Sequence, residues 1–406
     1  MTLTVYEDFT RAYLTEVNAA VRRMLTRNAE AAALLREAVD SGAQVRAFGN
    51  GGSSAIVRSA LLQLHTYAGL SVNDCMMTPA AMAYGAQQQT FRTVFAQSLA
   101  PDINEVGLVV VASVSGRSAN ILETVRLCAD NSVPVLALVG GDGTQMEVAD
   151  GMVWATGTTD QQISEDAMLT ALTLAADVFG TRDQSPPAIQ ERHLHALATM
   201  GSAWLGNFLT EATAAVSGAI RTRRRIFVLC PDGGPLALAG EHFAHNLRWD
   251  APLGVADVQP PFVISDPSLA DMSAVYNDHP DAAHGVRYQL SSASPGDVVF
   301  LLAYDSDSRT VQEAIRAAEA AGAWLFLIHQ AGLTGSGAEP RHFTLPQVNH
   351  FGQAALLQSI AHLVCRTTRA ELTAGPAGQV TQLSSDGLMD QDLAPLRELS
   401  SAPEHL

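Results

Sequence analysis

The order of a strand, a short glycine- or serine-rich turn and a helix occurs in both halves of this chain, and this repetition is what most limits its possible folds. In the first half, the apolar run Val45–Phe48 is followed by residues 49–54 (GNGGSS) and a helical pattern. In the second half, Arg225–Cys230 is followed by residues 231–235 (PDGGP) and another helical pattern. This order is typical of a parallel sheet with helices on both faces. The halves match element by element at an offset of roughly 180 residues, which predicts an internal duplication.

The predicted architecture is α/β, with two doubly wound parallel-sheet (flavodoxin-like) domains in tandem and flanking helices. The chain has 406 residues, too many for one ordinary hydrophobic core. A Pro-Pro pair punctuates the middle of the sequence and suggests a boundary there. The expected parts are a first domain over 1–182, a linker over 183–190, a second domain over 191–371 and a polar tail over 372–406. Further strands are predicted at Leu108–Ala112, Val133–Val139, Met152–Ala155, Val298–Ala303 and Trp324–Ile328.

Composition excludes several functions. The formal net charge of −17 argues against nucleic acid or an anionic membrane as the main partner. All 24 basic residues are arginine, so the chain has no lysine for a phosphate-binding P-loop, a Schiff base or a pyridoxal phosphate anchor. No apolar run reaches the roughly 18 residues that a membrane span needs. The four cysteines are scattered without C-x-x-C spacing, which disfavours structural zinc and favours a cytoplasmic location.

Two turns of the first half have the composition of a phosphate site. Residues 49–54 lie between a strand and a helix, where glycine permits close backbone approach and the helix start offers free N–H donors. Residues 113–118 (SVSGRS) follow the next strong strand and add three hydroxyl groups. Such donors hold a phosphate dianion without lysine. The predicted phosphate-binding residues are Asn50, Gly51, Gly52, Ser53, Ser54, Ser113, Val114, Ser115 and Ser118.

Three segments of the first half carry a family resemblance. They are residues 49–55 (GNGGSSA), 113–143 (from SVSGRSAN to VGGDG) and 159–167 (TDQQISEDA). Together they resemble the sugar isomerase (SIS) domain family and, within it, the bacterial phosphoheptose isomerases. The second half resembles the same domain more weakly, through its element order and residues 296–308 (GDVVFLLAYDSDS). The resemblance implies a phosphorylated sugar as ligand, aldose–ketose isomerisation through an enediol, and a homo-oligomer (dimer). We expect no cofactor, and no metal because the metal ligands of the family are missing from the first half; a zinc site on the polar residues of the second half is the alternative.

The acid–base residues implied by the resemblance are only partly present in the first half. The position of the family's glutamate, on the helix after the first turn, falls on Gln63, whose carboxamide is no general base at neutral pH. The position of the family's histidine falls near Leu172, whereas Glu165 coincides with a glutamate. We therefore expect the first half to keep its phosphate site, with Gln63 lining it, and to lack its own acid–base pair.

The second half shows the opposite pattern. Its first turn contains two prolines, which lack amide donors, and its second turn carries Asp305 and Asp307, which would repel a phosphate. Its first helix nevertheless carries a dense polar set at residues 241–246 (EHFAHN). Because the family assembles its active site between subunits, this set is expected to complement the first half, unless its histidines are structural. The candidate catalytic residues are Glu165, Glu241, His242 and His245.

Two functions are the leading candidates from the sequence, and an isomerase-derived lyase or transferase that acts on a modified sugar is a third. One is isomerisation of a heptose-like sugar phosphate, which the polar helix of the second half favours. The other is a catalytically degenerate sensor or regulatory subunit that binds a sugar phosphate, which the departures at Gln63 and Leu172 favour.

Overall fold

Two parallel sheets surrounded by helices form the core of the protein. The computed structural model describes residues 3–70, 90–180, 186–201, 203–255, 258–266, 282–330 and 341–374. Within these ranges, one sheet has four strands and the other has five. All strand pairs are parallel. The predicted α/β class with two parallel sheets is therefore confirmed.

The strands and helices alternate along most of the chain. The strands are β1 (Gln44–Gly49), β2 (Val106–Ser113), β3 (Val135–Val139), β4 (Gly151–Ala155), β5 (Arg225–Leu229), β6 (Phe262–Ile264), β7 (Val298–Ala303), β8 (Trp324–Gln330) and β9 (His342–Leu345). The helices are α1 (Leu3–Leu25), α2 (Asn28–Ser41), α3 (Gly52–Ala68), α4 (Val94–Leu99), α5 (Ala119–Asp130), α6 (Gln161–Ala176), α7 (Pro186–Met200), α8 (Ala203–Arg221), α9 (Pro235–Trp249), α10 (Ala282–Leu290), α11 (Arg309–Ala320) and α12 (His350–Ala374).

The chain divides into two compact units. The first unit comprises the described residues of Thr15–Ala198 and Val348–Ser359, and it contains the sheet β1-β2-β3-β4. The second unit comprises the described residues of Met1–Leu14, Thr199–Gln347 and Ile360–Leu406, and it contains the sheet β6-β5-β7-β8-β9.

The core of the first unit lies on both faces of its sheet. Phe48 of β1 packs on Phe95 with ring centroids 5.2 Å apart, and Val109 and Val111 of β2 are fully buried beside them. Burying each such side chain contributes about 1.5–3 kcal/mol. Helix α6 is buried along nearly its whole length, from Gln162 to Ala176. Because a buried helix has no solvent-facing side, the polar residues of α6 must find their partners inside the protein.

The second unit repeats the strand order of the first. Strands β5, β7, β8 and β9 are neighbours in the same sequence as β1, β2, β3 and β4. Every residue of β7 is buried, and Phe300 of β7 stacks on Phe326 of β8 at 5.2 Å. This common order agrees with the duplication predicted from the sequence.

None of the helices in the described part of the chain combines the length and the hydropathy that crossing a membrane demands.

Candidate phosphate-binding site

The first unit brings the two predicted turns together at one edge of its sheet. Gly49, the last residue of β1, pairs with Ala112 of β2, whose last residue is Ser113. Each strand leads through a short turn into a helix, α3 or α5. Since the strands are parallel and adjacent, both helices begin at the carboxyl edge of the sheet and direct their N-terminal N–H groups there.

The glycines of the first turn are required by its geometry. A Cβ atom on Gly49 would lie 2.6 Å from the carbonyl carbon and oxygen of Ser53, closer than atoms can approach. Gly51 precedes α3 at φ 51° and ψ −126°, a conformation that side chains disfavour. Ser53 is buried and Ser54 half-buried in the first turn of α3. The GNGGSS segment therefore folds back tightly and leaves its backbone close to the site.

A reciprocal pair of amides ties the first turn to the second. Nδ2 of Asn50 donates to Oδ1 of Asn120 at 3.0 Å, and Nδ2 of Asn120 donates to Oδ1 of Asn50 at 2.8 Å. Asn120 lies in the first turn of α5, is buried, and also accepts from the amide of Ile121 at 3.0 Å. The two turns are thus held at a fixed separation.

The hydroxyl groups of the second turn converge in part. Oγ of Ser113 lies 3.0 Å from Oγ of Ser118, which directly precedes α5. The amide of Gly116 closes the turn by donating to the carbonyl of Ser113 at 3.0 Å. Ser115 is exposed, and its Oγ accepts from the amide of Arg117. The carbonyl of Val114 accepts from the amide of Gly140, next to β3, at 3.1 Å. Ser113 and Ser118 are therefore the hydroxyl donors best placed at the start of α5.

The second unit has the same turns, but they enclose a carboxylate of the chain itself. Gly234 precedes α9 at φ 64° and ψ −148°, as Gly51 precedes α3. Ser308 precedes α11, as Ser118 precedes α5. The carboxylate of Asp232 accepts from the amide of Tyr304 at 2.9 Å and from Oγ of Ser308 at 3.2 Å. Donors at the start of α11 are therefore arranged around an anion.

Tyr304 covers the other helix start of the second unit. Its hydroxyl oxygen accepts from the amide of Leu236, in the first turn of α9, at 3.1 Å. In the second unit, side chains of the chain itself thus accept hydrogen bonds from donors at the starts of both α9 and α11. In the first unit, the groups that meet between the corresponding starts are neutral amides and hydroxyls of Asn50, Asn120, Ser113 and Ser118.

Gln63 belongs to a separate buried network of the first unit. Its Nε2 donates to the carbonyl of Thr173 at 3.0 Å and to the carboxylate of Asp177 at 2.6 Å. Asp177 also accepts from Nδ2 of Asn349 at 2.9 and 3.0 Å. Burial raises the pKa of Asp177 to about 6, although both amide donors oppose the shift. Among the described residues, Gln63 forms its hydrogen bonds with this network and not with the serine turns.

Glu165 lies on the buried face of α6 in the first unit. Its Oε1 accepts from Nε2 of Gln161, one turn earlier, at 3.4 Å. The adjacent Asp166 accepts from Nε2 of Gln358 at 3.1 Å. Both carboxylates are almost completely buried. Glu165 is therefore held in the interior of the unit, as a proton-transferring carboxylate would be.

The polar residues of α9 in the second unit point in different directions. Glu241 is exposed, His245 is half-buried and His242 is buried. The ring of His242 meets the ring of His362 edge-on, with centroids 5.1 Å apart. Nδ1 of His362 lies 3.4 Å from the hydroxyl oxygen of Tyr13. Of the predicted α9 set, His242 therefore packs against a second buried histidine within its unit.

Comparison with known proteins identifies the domain that carries the two turns. Residues 6–140 match the family model of the SIS domain. The chain contains a SIS domain. The match includes both turns, 49–54 and 113–118, and the pair Asn50–Asn120 that ties them.

Individual relatives extend this result. The phosphoheptose isomerase of Rhodospirillum rubrum (strain ATCC 11170) is 28% identical over 148 residues, which are 34% of this chain and 76% of the relative. The C-terminal domain of glucosamine-fructose-6-phosphate aminotransferase from Francisella tularensis superposes with a TM-score of 0.56 at 12% identity, over 91% of this chain and 96% of that one. Glucosamine-6-phosphate deaminase from Thermotoga maritima gives 0.51 at 12% identity, over 90% and 100%. These two likenesses concern the fold alone, and they extend over both sheets.

Sequence reasoning missed two residues of the SIS domain and its repeat. Asn120 lies within the resembling segment 113–143, and that position was the available signal. Asp232 stands beside two prolines in a turn that resembled no anion site, and its role is visible only in the fold. Both side chains act across distances of about 70 residues along the chain.

Proposed function

We propose that the SIS domain of the first unit binds the phosphate group of a sugar phosphate between the turns 49–54 and 113–118. The supporting observation is the internal comparison with the second unit, where the Asp232 carboxylate accepts hydrogen bonds at the matching helix start. The first unit has the same helix start and the same preceding serine, and among the described residues no carboxylate accepts hydrogen bonds from them. An external dianion would replace the internal one.

Phosphate binding at this place needs no lysine. The hydroxyls of Ser113 and Ser118 donate, and the N-termini of α3 and α5 supply positive potential. Asn50 and Asn120 keep the two turns at a fixed distance. The match to a phosphoheptose isomerase over 148 residues supports a heptose phosphate or a similar ketose phosphate as the ligand.

For the reaction, we propose aldose–ketose isomerisation through an enediol. A base removes the proton from the carbon next to the carbonyl, the resulting enediol forms, and the proton is delivered to the neighbouring carbon. Glu165 is the candidate base of the first unit, because it is a buried carboxylate on a rigid helix. The other candidates for acid–base roles are Glu241, His242 and His245.

A second candidate function is a sugar-phosphate sensor without catalysis. The observation that favours it is the state of Gln63, whose amide is bound within the Asp177 network. A carboxamide held in this way transfers no proton, so an enzyme of this lineage would need its base elsewhere.

Incubation with C5 to C8 sugar phosphates in deuterated water tests both functions. Isomerisation incorporates solvent deuterium at C1 or C2, whereas a sensor binds one sugar phosphate without exchange. We expect Ser113→Ala/Ser118→Ala to weaken binding by about tenfold or more, since it removes two hydroxyl donors to a charged group. Ser98→Ala is the matched control, because Ser98 of the same unit donates only to the carbonyl of Phe95. Wild-type binding that survives the double substitution unchanged would refute the site.

Single substitutions then assign the acid–base roles. Glu165→Gln, which preserves shape and burial, should abolish deuterium exchange while leaving sugar-phosphate affinity within about threefold. Glu241→Gln, His242→Asn and His245→Asn test the second-unit candidates in the same assay. Full exchange in all four variants would remove these residues as the acid–base groups, whereas binding without any exchange in the wild type would leave the sensor as the function.

A further inference from the structure

A cavity of about 500 Å³ opens in the second unit, away from the carboxyl edge of its sheet. Arg225 is the first residue of β5 and Phe262 the first residue of β6, and Asp297 directly precedes β7. The cavity therefore lies at the amino ends of these parallel strands. Arg223 and Arg224 complete its charged lining.

Two of the three arginines have no ion-pair partner within the described part of the chain. Arg225 forms an ion pair with the buried Asp297 at 3.0 Å, and Asp297 also accepts from the amide of Arg225 at 2.9 Å. Arg223 donates to the neutral side chain of Gln259. Among the residues that the structure describes, neither Arg223 nor Arg224 forms an ion pair, and both are exposed. The cavity is thus positively charged in a chain whose net charge is −17.

Arg223 adopts a backbone conformation that favours glycine. Its φ is 59°, at the end of α8, where the amide of Arg224 donates to the carbonyl of Ala219 at 2.8 Å. The amide of Arg223 donates to the carbonyl of Ile220 at 3.3 Å. These two bonds define a Schellman motif, whose left-handed residue is usually glycine. An arginine at this position is held in a conformation that its Cβ disfavours.

The first unit makes the same helix-to-strand turn without arginine. Gly42, at φ 66°, follows α2 and stands two residues before β1, as Arg223 stands two residues before β5. The next first-unit residues are Ala43 and Gln44. The fold of the turn therefore does not require Arg223 and Arg224, and their presence calls for another reason.

An aromatic ring stands beside the arginines. Phe262 is 66% exposed, although it begins a strand, and Pro260 and Pro261 directly precede it in the cavity lining. Exposed rings bind planar groups by stacking, and arginine forks bind phosphate oxygens in pairs. The cavity thus presents both kinds of contact side by side.

We propose that this cavity binds a nucleoside di- or triphosphate, with the phosphates on Arg223 and Arg224 and the base against Phe262. The site is separate from the sugar-phosphate site and does not depend on the function proposed for the first unit. Asp297 holds Arg225 in place at the floor of the cavity and leaves the other two guanidinium groups for the ligand.

Calorimetric titration of the full chain with ADP, inorganic pyrophosphate and adenosine tests the proposal. Arg223→Gly/Arg224→Ala installs the residues of the first unit at the same turn, so the fold is expected to tolerate it. ADP should bind the wild type once per chain. Its affinity should be about tenfold or more lower in this double variant. Phe262→Ala should weaken ADP by about three- to tenfold while leaving pyrophosphate unchanged. Arg316→Ala, at an exposed position of α11 in the same unit, is the control.

The variants also carry a readout that is independent of the ligand. Because glycine adopts a positive φ without strain, Arg223→Gly should raise the unfolding temperature by about 2 °C. The same substitution should lower the affinity for ADP. Three results would overturn the proposal. They are no saturable ADP binding at millimolar concentration, equal affinity in the double variant, or loss of ADP binding on Ser118→Ala with the double variant unaffected. Equal affinities for ADP and pyrophosphate would overturn the role of Phe262.

Discussion

Removal of the Asp232 carboxylate should turn the second unit into an anion-dependent fold. In the wild type this carboxylate accepts from the amide of Tyr304 at 2.9 Å and from the hydroxyl of Ser308 at 3.2 Å. Two hydrogen bonds to a charged, partly solvated acceptor are together worth about 2 kcal/mol. Asp232→Ala loses this amount and leaves donors at the start of α11 around an empty position.

Phosphate should restore much of the lost stability. A dianion present at ten times its dissociation constant stabilises the folded state by about 1.4 kcal/mol. The assay is thermal unfolding in phosphate and in chloride at equal ionic strength, for the wild type, Asp232→Ala and Asp305→Ala. Asp305 is exposed in the same turn. Its replacement by alanine removes one negative charge but leaves the Asp232 carboxylate at the start of α11.

The wild type and Asp305→Ala are the references for this experiment, because phosphate binding to the first unit should also raise their stability. We expect an additional phosphate-dependent rise in the unfolding temperature for Asp232→Ala alone. Unchanged stability of Asp232→Ala in chloride, or a phosphate response equal to that of the two references, would refute the equivalence of the two turns.

Three further predictions test other parts of the structure. The pKa of Asp177 in the folded state is about 6, above the ordinary 3.8, so the fold favours the protonated form, and this stability is lost as the pH rises through 6. Between pH 5 and pH 8 the free energy of unfolding should fall by about 1.4 kcal/mol for this reason. Asp177→Asn should remove this part of the pH dependence in urea unfolding. The control Asp40→Asn, at an exposed position, should leave the pH dependence unchanged. Gly49→Ala should destabilise the protein by about 2 kcal/mol or more, because its Cβ meets the Ser53 backbone; wild-type stability on denaturation would contradict this. A homodimer, as the family resemblance implies, should give twice the chain mass of 42.9 kDa in light scattering, and a monomer mass would rule it out.

The sequence predicted the central strands and the turns after them because both have strong local signals. Long apolar runs such as those of β2 and β7 are buried on both faces, and the glycines at residues 49–52 have steric reasons visible in the fold. Strands β6 and β9 were missed. They have only three and four residues, and two prolines precede β6, so neither shows a clear period.

The sequence predicts those residues of the candidate phosphate site that are recognisable from their immediate neighbours in the chain. The serines of 113–118 and the glycines of 49–52 carry their own signal, whereas the tie between Asn50 and Asn120 depends on the pairing of β1 with β2. The bonds of Gln63 to Asp177 could not be predicted either, because they require α3 to pack on α6. Side chains that act through tertiary neighbours give no periodic or compositional pattern.

A crystal structure of the protein grown with a seven-carbon ketose phosphate tests the central claim most directly. The account predicts a phosphorus atom within about 4 Å of the Oγ atoms of Ser113 and Ser118, at the starts of α3 and α5. A sugar phosphate bound only elsewhere in the chain, with Ser113 and Ser118 still hydrogen-bonded to each other, would contradict this claim.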